Sequence, residues 1–190
     1  EKTRSQKSEV EEFVRELLEK KDWTYLKTVL IDLHPADIAE MMTRIDRDDR
    51  EQILSLVDID KAAEITIELD SPVRKELLEA LNEKIVVSIV KTMDSDDAAD
   101  IIGELEEKLA AKILDAMPWK ESREVEKLLL HDEETAGGIM ALEIVAVDHN
   151  RTAGEAQKVL RKKADEVEDV YNIYVVDSKG VLKGVVSLKD

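Results

Sequence analysis

Apolar residues recur every twelve positions through roughly the first two thirds of this 190-residue chain. The series runs Leu33, Ile45, Val57, Leu69, Leu81, Met93, Leu105, Met117 and Leu129. Eight residues after each of the first eight stands a second series: Met41, Ile53, Ile65, Leu77, Ile89, Ile101, Ile113 and Val125. Directly behind the first series come His34, Asp46, Asp58, Asp70, Asn82, Asp94, Glu106 and Pro118, mostly types that cap or break helices. Each unit predicts a short turn followed by about two turns of amphipathic helix. Helices this short do not persist alone, because nucleation is unfavourable. They must stack on their neighbours, as the units of a solenoid do. Pro35, Pro72 and Pro118 fall near the predicted helix starts, where a missing N–H does no harm. Two further helices, about 8–20 and 22–33, are expected ahead of the repeat. Residues 1–130 are thus predicted to be all-α, a right- or left-handed superhelix. Trp23 and Trp119 are assigned to its apolar core.

After Leu130 the pattern changes. HDEETAGGIM contains a glycine pair, and EIVAVD (143–148) alternates as a strand does. TAGEAQKVLRKKAD (152–165) has helical spacing, with Thr152 as its N-cap. YNIYVVD, the turn SKG and VLKGVVSL then read as strand, turn and strand. Residues 131–190 form a second domain of β-α-β-β order that stops directly after a strand. The chain as a whole is mainly α, with a small α/β part at its end.

Charge and composition exclude several functions. With 28 Lys and Arg against 45 Asp and Glu, the formal charge is −17. Nucleic acid and anionic lipid require clustered cations and are not expected partners. Cation binding and plain solubility both suit such a charge. The chain has no cysteine, and its three histidines, His34, His131 and His149, share no ligand-like spacing. Disulfides, thiolate zinc sites and imidazole metal centres are therefore not expected. No run approaches the ~18 apolar residues of a membrane span, and EKTRSQKSEVEEF does not resemble a signal peptide. No nucleophile–base set, P-loop or dinucleotide motif is present, so the chain is not read as an enzyme.

One stretch is unusual. MDSDDAADIIGEL (93–105) carries five acidic residues in one short predicted helix. On an ideal helix, Asp100, Glu104 and Asp97 lie about 40°, 80° and 100° from Asp96, while Ala98, Ile101, Ile102 and Leu105 occupy the opposite side. Asp96 with Asp100, and Asp100 with Glu104, are i, i+4 pairs that repel by about 0.2–0.5 kcal/mol each when exposed. Capping by Asp94 or Ser95, and attraction to the helix dipole, account for acids in the first turn. Those effects leave Asp100 and Glu104 unexplained; a bound cation would reverse the repulsion.

The second domain resembles a cystathionine-β-synthase (CBS) motif: a strand, a helix opening T-x-x-E-A, then IYVVD, KG and GVVSLKD. On that resemblance the domain is a first CBS motif, incomplete at its C-terminal end. CBS motifs pair in tandem and bind adenine nucleotides or act as regulatory hinges. The nucleotide-contacting positions would be Ser187 and Asp190. Taken together with LHPADIAEMM (33–42), AAEI (62–65), DSDDAADIIGEL (94–105) and ETAGGIM (134–140), the order resembles the cytosolic part of the MgtE magnesium transport family.

That resemblance implies a helical N domain followed by two CBS motifs, a connecting helix and a transmembrane pore. The intact protein would be a homodimer at the cytoplasmic face of the membrane. It implies magnesium ligands at Asp96 and Asp100, with Asp97 behind them, and weaker candidates at Glu64 and the Gly138 carbonyl. A glycine pair making a tight turn explains Gly138 equally well. The expected function is magnesium sensing: ions held between the acidic N domain and the CBS layer favour a docked, pore-closed state. Adenine-nucleotide sensing is the alternative. Asn172, where the family often has an aromatic, and Lys189, in place of a frequent Arg, count against ATP. A helical interaction scaffold is a third reading, since the repeat also resembles flagellar motor switch proteins, but it leaves the CBS half unexplained.

Overall fold

The computed structural model describes residues 2–132, 135–140, 142–163 and 170–189. Among them are eleven helices and one three-stranded sheet, divided between two compact units, Glu1–Gly138 and Ile139–Asp190. The division falls after the glycine pair rather than at 130.

The first unit opens with α1 (Lys2–Lys20) and α2 (Trp23–Asp32). Asp22 caps α2 by accepting a hydrogen bond from Tyr25 N at 3.2 Å. Eight helices follow: α3 (Pro35–Met42), α4 (Arg47–Leu56), α5 (Ile59–Glu68), α6 (Ser71–Ala80), α7 (Glu83–Val90), α8 (Ser95–Glu104), α9 (Glu107–Ala116) and α10 (Trp119–Leu128). They start at twelve-residue intervals, and each N-cap is the residue that follows a member of the first apolar series. The capping chemistry varies with residue type. Asp46, Asp58 and Asn82 accept from Asp49 N, Lys61 N and Lys84 N at 2.9–3.0 Å, and His34 Nδ1 accepts from Ala36 N at 3.2 Å.

Every member of the second apolar series is buried, with exposure of 6 % or less. Packing runs mainly between alternate helices: α2 on α4 and α4 on α6, α3 on α5, α5 on α7, α7 on α9, and α8 on α10. One turn of twelve residues reverses the chain too tightly for neighbours to share a broad face, so the helices form two rows. Trp23 packs partly buried against this core, as expected. Trp119 does not. It stands at the first position of α10 and is 77 % exposed, because that repeat position faces outward and is polar in most units.

The second unit contains β1 (Ala146–Asp148), α11 (Ala153–Lys163), β2 (Asn172–Val176) and β3 (Leu182–Ser187) in sheet order β1-β2-β3. β1 and β2 are parallel and β2 and β3 antiparallel, with Ser187 opposite Asn172. Val145, Val147 and Ile173 form a small core, against which Ala156, Val159 and Leu160 of α11 pack. The expected strand from 143 begins only at Ala146. Upstream the backbone turns, with Ile144 N donating to Leu142 O at 3.0 Å and the Glu143 side chain accepting from Leu142 N at 3.1 Å. Thr152 and Glu155 form a reciprocal cap on α11: Thr152 Oγ1 accepts from Glu155 N, and Glu155 Oε2 accepts from Thr152 N at 2.9 Å. Gly180 closes the SKG turn with φ 77, a left-handed value that suits glycine. No helix among the described residues is long and apolar enough to cross a membrane.

Candidate functional site: an acidic helix and its cleft

The acidic stretch folds as α8, with Asp94 at its N-cap in extended conformation and Asp96 and Asp97 in the first turn. Its inner face is apolar: Ala98, Ala99, Ile101 and Ile102 are all 5 % exposed or less. That burial fixes the rotation of the helix. Asp100 is exposed, while Asp96, Asp97 and Glu104 are half-buried.

The four carboxylates do not share one environment. Glu104 is held by Arg74 of α6, whose Nε donates to Glu104 Oε2 at 2.9 Å and whose Nη2 pairs with Oε1. The third arm of the guanidinium, Nη1, donates to the Ile67 carbonyl at 3.0 Å. Such a fork-to-fork pair is stronger than a single-point contact. Its side chains are only 14 % and 20 % exposed, so it is screened less than a surface pair. Glu104 thus has a structural explanation that composition alone does not reveal.

The pair belongs to a pattern. Arg50, two repeats earlier at the same position, donates to the Met42 carbonyl at 2.8 Å and pairs with Glu76 at 2.8 Å. An arginine at the fourth residue of α4 or α6 therefore ties the end of the preceding helix to a carboxylate at or beyond the next turn of its own row. The next equivalent position is Ala98, which is buried. The arginine ladder ends at α8, and no ion pair to Asp100 occurs among the described residues. The twelve-residue register, applied to polar as well as apolar positions, places Arg50 and Arg74 in equivalent places.

Asp100 differs from Glu104 accordingly. Partial loss of water pushes its carboxyl above the usual range, Asp96 adds a like charge, Arg74 opposes the shift and Glu104 adds a smaller like charge. A group disfavoured as an anion by its own neighbours is one that a cation would stabilise.

Asp100 lines an open cleft of ≈ 230 Å³ with Ala99, Gly103, Leu128, Leu129, His131 and Gly138. Two of the sequence-expected residues, Asp100 and Gly138, therefore meet at one place. Gly138 N donates to Thr135 O at 3.0 Å, within a turn. Its neighbour Gly137 is required by space: an added Cβ would lie 2.6 Å from His131 Nδ1. Asp96 and Asp97 precede Asp100 by about one turn, outside the cleft wall. Glu64, on α5, is exposed and also outside it. Among the described residues no group of three or more His, Asp or Glu side chains converges as a ready metal seat.

In the second unit, Ser187 Oγ accepts from Lys189 N at 3.1 Å, and Lys189 Nζ lies 5.8 Å from the ring centre of the exposed Tyr171. Asp190 lies outside the described residues.

A family model described as the MgtE intracellular N domain matches residues 33–134, more than half of the chain. The chain belongs to the MgtE family. It is 34 % identical over 180 residues to the magnesium transporter MgtE of Thermus thermophilus, covering 93 % of this chain and 40 % of that protein. Over 71 residues it is 44 % identical to the magnesium transporter MgtE of Enterococcus faecalis, covering 37 % of this chain and 16 % of that relative. It thus spans less than half the length of these MgtE relatives. Among solved structures it resembles the cytosolic domain of the Mg2+ channel MgtE in complex with ATP, with 34 % identity and a TM-score of 0.86 over 93 % of this chain and 72 % of that one. It also resembles the soluble part of a magnesium transporter, with 27 % identity and a TM-score of 0.81 over 97 % of this chain and 73 % of that one. The mainly helical architecture with a small terminal sheet is the MgtE cytosolic fold.

Proposed function

We propose that this chain is a magnesium-sensing regulatory region of an MgtE-type magnesium transporter or channel, acting at the cytoplasmic face of the membrane. The observation that carries the reading is Asp100: a carboxylate raised in pKa, outside the arginine ladder, on the wall of a cleft that also holds Gly138. Magnesium is a hard cation that dehydrates reluctantly, so one or two carboxylates with waters and a backbone carbonyl suit it better than a closed cage. Asp96 and Asp100 are the leading ligands, with Asp97, Glu64 and the Gly138 carbonyl contributing. Such a sparse site binds weakly and tracks a changing ion level.

Charge is distributed unevenly in a way that bears on the switch. Residues 1–138 hold 20 Lys and Arg against 36 Asp and Glu, whereas 139–190 hold 8 against 9. The repulsion that magnesium must relieve therefore arises mainly within the helical unit. The second unit is the first CBS motif of a layer that, in the intact homodimer, includes a second motif, a connecting helix and the pore. Ions bound by the helical unit together with that layer favour a docked, pore-closed state by binding it more tightly than the open one. Calorimetric titration of magnesium into the chain and into an Asp96→Ala/Asp100→Ala variant tests the site. Heat of binding is expected in the first and not in the second; equal heats would remove these residues from the sensor.

A second reading, nucleotide sensing, is favoured by one local arrangement. Tyr171 is exposed beside Ser187 and Lys189, which supplies an aromatic face where Asn172 does not. The related cytosolic domain solved with ATP supports trying that ligand first. A thermal shift with ATP, lost in Ser187→Ala and in Asp190→Ala, would establish it; no shift in the parent chain would end it.

A further inference from the structure

We propose that Arg74 sets the cation affinity of the Asp100 cleft by acting as a built-in counter-cation that keeps Glu104 out of the ligand set. Glu104 is one helical turn beyond Asp100 on the same face of α8, the spacing at which a second carboxylate joins a cation already held by the first. It is instead engaged at both oxygens by the guanidinium of α6, which is anchored from behind by the Ile67 carbonyl. Only one nitrogen-to-carboxylate fork is needed to tie α6 to α8, and Arg50 performs the same tie between α4 and α6 with a single 2.8 Å contact to the more exposed Glu76. At α8 the tie is two-pronged and half-buried, and it engages the carboxylate one turn from Asp100. The guanidinium therefore does two things at once. It neutralises the carboxylate one helical turn beyond Asp100, and its own positive charge acts on Asp100. Both weaken divalent binding, which holds the site in the low-affinity range that a concentration sensor requires. Arg74 is a positioning residue here, since it acts through Glu104 and Asp100.

The inference rests on the reading of Asp100 as a magnesium seat, and the test separates the two. Magnesium chloride alone is titrated into the 190-residue chain, and the midpoint is read from backbone amide shifts at residues 96–104. In Arg74→Gln the midpoint is expected to fall about three- to tenfold, because one cation is lost and one carboxylate is freed at i, i+4 spacing. In Glu104→Gln, which leaves the guanidinium uncompensated, it is expected to rise by a similar factor. The double variant, with neither charge, should return to within about twofold of the parent. A purely structural pair would lower stability in both single variants and move the midpoints in the same direction or not at all; either result overturns the proposal. If Arg74→Gln does not fold by circular dichroism, Glu104→Gln decides: an unchanged midpoint overturns the proposal and a raised one supports it. Asp100→Asn is the control for the underlying reading. A parent-like midpoint in that variant removes Asp100 as the seat and the role of Arg74 with it. Loss of binding in Asp100→Asn, with no opposed shifts in the pair variants, overturns the role of Arg74 alone.

Discussion

Replacing Asp100 by asparagine is expected to stabilise the magnesium-free chain slightly while removing its stabilisation by magnesium. Asp100 is the sixth residue of α8, past the first turn, so its charge gains little from the helix dipole. Its cost comes from partial desolvation and from Asp96 one turn earlier, whereas the repulsion from Glu104 is already offset by Arg74. One relieved i, i+4 pair is worth about 0.2–0.5 kcal/mol, or about 1–2 °C in Tm for a unit of this size. The sign follows from linkage. A carboxyl whose folded pKa lies above its unfolded value near 3.8 destabilises the fold above that range and not below it. The gain from asparagine should therefore be present at pH 7 and shrink as the pH falls through the carboxylate range. Magnesium at ten times its dissociation constant should raise the stability of the parent chain by about 1.4 kcal/mol and that of the variant by none. Thermal unfolding by circular dichroism, with and without magnesium at pH 7, measures both effects. A variant that loses more than about 1 kcal/mol without magnesium, or that keeps the full magnesium shift, would refute the reasoning.

Other changes probe the fold and its caps. Ile89→Ala, at a fully buried second-series position, should cost about 2–5 kcal/mol in urea unfolding, whereas Ile85→Ala, 45 % exposed on the same helix, should cost less than about 1 kcal/mol. Removing the α5 cap by Asp58→Ala should cost about 1 kcal/mol, and Asp58→Asn much less, read in the same assay. Glu155 is held below its usual range, first by the Thr152 backbone N–H and then by Arg151. The stability it contributes is complete above an unfolded pKa near 4.5 and is lost as pH falls through the lower folded value. The effect of Glu155→Gln on the melting of the second unit should accordingly be visible at pH 7 and vanish in acid.

The twelve-residue register was readable because helix starts and buried positions are set by local chemistry repeated many times. A polar residue after Leu33, Ile45 or Val57 can only begin the next short helix, and the residue eight places on from each can only face inward. Trp119 shows the limit of reading residue type alone. Its large apolar ring predicts burial, yet the equivalent positions include Arg47, Ser71, Glu83 and Glu107, and the structure exposes it with them, although Ser95 at the same position is buried. The acidic face of α8 was legible as a face but not as two environments. Whether Glu104 is available depends on Arg74, thirty residues away in sequence, and pairing between alternate helices is not written in any one segment. The meeting of Asp100 with Gly138 in one cleft is likewise a tertiary fact; helical periodicity singles out Asp100, whereas Gly138 is suggested by family resemblance alone. In the second unit the alternation in EIVAVD predicts a strand from 143, but a turn made by Leu142 and Glu143 delays its start to Ala146.

We propose above that magnesium bound at the acidic helix drives a compact, docked arrangement. Small-angle scattering of the 190-residue chain across a magnesium titration tests it directly, with an Asp96→Asn/Asp100→Asn variant alongside. The parent chain is expected to contract with a midpoint matching its calorimetric binding, and the variant to keep one radius throughout. A parent chain whose radius does not change while its site fills, or a variant that contracts equally, would contradict it.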